Sequence, residues 1–97
     1  MATVAQQSDL MARIEHALDY LMSEWGAIPD VSAEWDDWDE YSRLDFVLEW
    51  PLREDQLHQL QGWHASGLLT AIQLERFRQI EEFIDRNRPA LERLLED

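Results

Sequence analysis

Apolar residues recur at three- and four-residue spacing through most of the chain, the period of helices buried along one side. Leu10, Ile14, Ala17, Leu18, Leu21 and Trp25 form the first such stripe, widened by Met11 and Met22. It predicts a helix over 9–25, with Ser8 as N-cap and Asp9 in the first turn. Gly26 stands at the expected C′ position and Pro29 just beyond it. Residues 1–7 have no periodicity and are expected to fray.

The next pattern is less simple. Asp30 or Ser32 can cap a second helix, with Glu34, Asp36 and Asp37 in its first turn, where negative charge complements the helix dipole. Trp38, Tyr41, Leu44, Val47 and Leu48 form one apolar arc, while Trp35, Phe46 and Trp50 fall partly outside it. Two apolar faces on one helix predict burial on both sides, by the remaining helices or by a second subunit. Leu44, Phe46, Leu48 and Trp50 also alternate as a strand would. No second strand exists to pair with such a segment, so only a copy across a dimer axis could satisfy its backbone, and helix is preferred. Pro51 is expected to end this helix.

A third helix follows, with Glu54 and Asp55 in its first turn and Leu57, Leu60 and Trp63 or His64 facing inward. Gly62 weakens it by about 1 kcal/mol relative to Ala, and Gly67 reads as its C′ stop. Thr70 and Gln73 make a capping box for a fourth helix. Phe77, Ile80, Ile84, Asn87, Leu91 and Leu94 then run in a seam spaced like a coiled coil. Pro89 predicts a kink or break near Asn87–Arg88. Short links favour antiparallel neighbours. The expected fold is all-α: one domain over 1–97, an up-and-down bundle of about four helices whose C-terminal helix is kinked or broken.

Composition narrows the function classes. The chain has 97 residues and no cysteine, so disulfides and cysteine zinc sites are excluded. No apolar run approaches membrane-spanning length, and the N-terminus lacks the pattern of a signal peptide, so a cytoplasmic location is expected. The formal net charge is −13. The first fifty residues hold twelve acids against two arginines, the remainder nine against six. Such a field repels nucleic acid and anionic lipid and attracts basic proteins.

The densest stretch is Glu34 to Pro51, with three tryptophans, seven carboxylates and one arginine. Acids beside tryptophan can dock a basic partner, the ring as anchor and the acids as rim. Trp35, Asp36, Asp37, Trp38, Asp39 and Glu40 are therefore the candidate partner-binding residues. Phe46 and Trp50, with the seam residues Phe77, Ile80 and Ile84, are the candidates for self-association as a homodimer. A purely structural homodimeric subunit would use the same seam.

Enzymatic signatures are few. There is no Gly-rich phosphate loop and no activated nucleophile. The Asp36–Glu40 acids lack the Gly and distal Glu of an EF-hand. Asp55 and His58 give one carboxylate–His pair, where a di-metal bundle needs two; no metal or other cofactor is expected. Arg53 and His58 are spaced R-x4-H. This resembles the R-x4–6-H motif of the all-helical HEPN nucleases, in which the Arg and His act on RNA phosphate, usually across a dimer interface. The likeness covers six residues, and Glu54 stands where that family commonly has Asn, Asp or His. It implies a ribonuclease using Arg53 and His58 as the alternative. The leading expectation is a non-enzymatic acidic helical interaction module, self-associating or bound to a basic protein.

Overall fold

The computed structural model describes residues 4–96, with side chains from Asp9 onward. It contains α1 (Val4–Gly26), α2 (Ile28–Glu34), a 3-10 turn (Trp35–Asp37), α3 (Glu40–Ala65) and α4 (Ala71–Glu96). Among the described residues there is no strand, so the fold is all-α and 44–50 is helical.

Side-chain pairs fix the directions. Glu15 meets Gln73, Asp19 meets Arg76, and the Trp25 carbonyl meets Asn87, so α1 and α4 run parallel. Glu24 meets Arg53 while Ala12 and Arg13 lie beside Gln59 and Trp63, so α3 runs the other way. α2 and the 3-10 turn continue the line of α1 and lie against α4. The result is three rods, α1–α2, α3 and α4, in an elongated body of 50 × 23 × 16 Å. A 26-residue helix is about 39 Å long, so α3 and α4 span most of that length.

Most of the α1 stripe is used: Ile14, Ala17, Leu18, Leu21 and Trp25 are buried and Leu10 and Met22 half-buried, whereas Met11 stays exposed. The α4 seam from Phe77 to Leu94 is buried as well, against α1 and α2. Asn87 in that seam donates from Nδ2 to the Phe83 carbonyl at 2.9 Å and lies 3.5 Å from the Trp25 carbonyl. The residue four beyond Trp25 is Pro29, which has no N–H to offer that carbonyl. The buried amide therefore stands at a helix end that the backbone cannot satisfy.

Helix boundaries depart from expectation where proline and local caps compete with packing. α1 starts at Val4, so residues 4–7 are helical and Ser8 lies inside the helix; residues 1–3 lie outside the described residues. Pro29 does not follow a helix so much as open one, in the first turn of α2, where a missing N–H costs nothing. Pro51 does not end a helix. It sits on the exposed side of α3, between the buried Trp50 and Leu57, whose packing outweighs one lost backbone hydrogen bond. Pro89 likewise leaves α4 in one run from Ala71 to Glu96.

The true break lies at Trp38, whose backbone is extended (ψ 143°). Asp39, not Asp30 or Ser32, caps the following helix: its Oδ1 accepts from the Ser42 N–H at 2.7 Å. The C-terminal end of α3 forms as expected. Gly67 takes φ 73°, its N–H donates to the His64 carbonyl, and the Leu68 N–H donates to the Trp63 carbonyl, a complete Schellman motif. The capping box also forms, with Thr70 N–H to Gln73 Oε1 at 2.9 Å and Gln73 N–H to Thr70 Oγ1 at 3.2 Å.

Candidate functional site

Trp35 is buried and Trp38 half-buried, whereas Asp36, Asp37, Asp39 and Glu40 are exposed. The two indoles belong to a run of touching rings. Trp25 meets Trp50 edge-on at 5.1 Å, Trp50 meets Phe46 at 5.4 Å, and Phe46 meets Trp35 at 5.6 Å and Trp38 at 6.0 Å. Each such pair contributes about 0.5–1.5 kcal/mol beyond area burial. Of the six candidate partner-binding residues, Trp35 is therefore core, Trp38 is half core, and the four acids form a solvated rim.

Arginines seal the aromatic run from outside. Arg43 Nε donates to the Trp35 carbonyl at 2.9 Å and Nη2 to the Asp36 carbonyl at 3.0 Å, satisfying the 3-10 turn from the first coil of α3. Arg53 lies over Trp50 and Phe46 and pairs with Glu24 at 3.1 Å. Arg88 lies over Trp25 and pairs with Glu54, which also accepts from Trp50 Nε1 at 3.0 Å. Cations over ring faces add about 0.5–2 kcal/mol each where they are shielded from water.

These contacts bear on the other sequence-predicted residues. Phe46, Trp50, Phe77, Ile80 and Ile84, the suggested self-association set, are all buried within one chain. A second copy would reach them only by displacing this packing. Arg53 is held against α1, while His58, five residues on and about 140° around the helix, is exposed. Within the chain the two side chains are not brought together. Among the described residues no three His, Asp or Glu side chains converge as a metal site.

The exposed apolar surface lies elsewhere on α3. Tyr41 is 82% exposed, Leu44 53%, Leu48 66% and Leu52 62%. Steps of three, four and four residues place them in one stripe about 80° wide and about 17 Å long, opposite Phe46, Trp50 and Leu57. Asp45 and Glu49 flank it on one side and Glu40 on the other. Beside Leu44 and Val47 an open cleft of about 440 Å³ is walled by Trp35, Arg43 and Leu95. Tyr41, Leu44 and Leu48 are visible in the sequence as an apolar arc, which is expected there to be covered by other helices or by a second subunit; Leu52, beyond Pro51, is hidden by the expected helix end.

Two carboxylates titrate abnormally, both for structural reasons. Hydrogen bonds from Gln73 and Arg76 hold Glu15 below the ordinary glutamate range. The Ser42 hydrogen bonds hold Asp39 below the ordinary aspartate range.

Comparison with protein-family models, curated proteins and solved structures finds no match to this chain. Among the described residues no helix is long and apolar enough to cross a membrane.

Proposed function

We propose that this chain is a non-enzymatic, acidic helical interaction module that binds a basic protein through the outward face of α3. The observation that carries the reading is the Tyr41–Leu44–Leu48–Leu52 stripe, exposed opposite the core and flanked by carboxylates. Exposed apolar surface of this continuity marks contact sites on small proteins. The acids at Asp36, Asp37, Asp39 and Glu40 extend the negative rim towards the 3-10 turn. In this arrangement charge guides the partner in and sets its orientation, while the aliphatic stripe supplies the desolvated contact. A second copy is disfavoured at this face because both rims are acidic and each chain carries −13.

Native mass spectrometry of the protein recovered at low salt tests the reading. An added basic protein mass, released at high salt and absent from a Leu44→Asp/Leu48→Asp variant, is expected. A homodimer, or an added mass retained by the variant, would contradict it.

A further inference from the structure

We infer that the element received by α3 is an amphipathic α-helix of about three to four turns, its apolar stripe flanked on both sides by Arg or Lys. This rests on the interaction reading above and commits it to one docking mode. The receiving surface is itself one helix face. Its apolar residues at steps of three, four and four form a ridge that packs into the groove between the ridges of a second helix. A peptide that adds as a strand would need a sheet edge to pair with, and there is none among the described residues. The stripe is about 17 Å long, which about three turns of a partner helix cover.

Charge selects the flanks of that partner. Asp45 and Glu49 border the stripe on one side, Glu40 on the other, and Asp55 stands at its far end. The one basic residue between Asp36 and Leu52 is Arg43, whose Nε and Nη2 are turned to the Trp35 and Asp36 carbonyls. A helix with basic residues on both flanks meets a carboxylate on each side. An acidic helix, or a second copy of this chain, meets like charge on both. The cleft beside Leu44 and Val47 lies on the Glu40 side and accepts one large apolar side chain from the partner, with Trp35 and Leu95 as its walls.

The probe is a fluorescein-labelled 18-residue peptide with leucines at helical spacing flanked by arginines, titrated by fluorescence anisotropy at about 150 mM salt. A scrambled peptide of identical composition controls for charge. The helical peptide is expected to bind at least about tenfold tighter than the scrambled one. Leu44→Asp/Leu48→Asp abolishes that difference, and the milder Tyr41→Ala/Leu52→Ala reduces it. Met11→Asp/Ile72→Asp, with the same charge change at exposed apolar residues of α1 and α4, preserves it. Equal affinity for both peptides overturns helix docking while leaving a basic partner possible. Equal loss in both aspartate variants overturns the assignment to α3. No binding of either peptide overturns docking and the basic-partner reading together.

Discussion

The two faces of α3 are built from similar amounts of apolar side chain and meet different fates. The inner face carries Phe46, Trp50, Leu57 and Leu60, all buried against α1 and the 3-10 turn or α4. The outer face carries Tyr41, Leu44, Leu48 and Leu52, all more than half exposed. The inner face is aromatic in its first half, and its polar edges are met: Trp50 Nε1 by Glu54, the ring faces by Arg53. The outer face is mainly aliphatic and bordered by acids. Hydrophobicity alone does not distinguish a core face from a contact face. The neighbouring polar groups differ too: those over the inner face pair with it, whereas the acids beside the outer stripe are left to solvent.

The contrast can be broken from the inside first. Trp50→Ala removes the ring that joins Trp25 to Phe46 and should cost about 3–5 kcal/mol, read by urea unfolding. A loss below about 1 kcal/mol would mean the aromatic run does not hold the fold. Arg43→Ala, which removes two hydrogen bonds from α3 to the 3-10 turn while the Trp38 N–H still donates to the Trp35 carbonyl, should cost about 1–3 kcal/mol in the same assay. Gly67→Ala forces a left-handed backbone on a residue with a Cβ and should cost about 1–2 kcal/mol. The added Cβ meets no heavy atom within 4 Å, so any larger loss would indicate something beyond backbone strain.

Acid sharpens the same contrast. Glu15 is lowered by Gln73 and Arg76, and Asp39 by Ser42, so each favours the folded state above its ordinary pKa. That contribution is lost as pH falls through the lowered folded values, below about pH 4. Gln73→Leu should flatten the acid limb of a stability–pH curve by removing the largest contact to Glu15; an unchanged limb would assign the acid sensitivity to other carboxylates. The smallest stability effect belongs to the outer face. Leu48→Asp should change unfolding free energy by no more than about 0.5 kcal/mol, and a large loss would place Leu48 in the core.

Local rules were legible wherever one signal dominated. The α1 stripe, the Thr70–Gln73 box, the Gly67 stop and the Phe77–Leu94 seam all stand in the structure as their spacing implies. Between Pro29 and Pro51 the two prolines suggest helix ends at places where tertiary packing allows a helix to start or continue. Asp39 does not stand out as a cap in the sequence because it is one acid among several, and only the extended Trp38 singles it out. For the candidate surface, the sequence exposes the existence of two apolar faces on α3 but not which one the other helices cover. That choice depends on the path of α2 and the 3-10 turn, which bring Trp35 onto Phe46 and so fix the inner side.

The most direct test of the outward face of α3 as a contact surface is a residue-resolved NMR titration of the whole chain with the arginine-flanked helical peptide. Shifts concentrated on Glu40, Tyr41, Leu44, Asp45, Leu48 and Leu52, with the indoles of Trp25 and Trp50 unmoved, are the predicted footprint. Shifts spread evenly over the acidic surface, or centred on Met11 and Ile72, would contradict it.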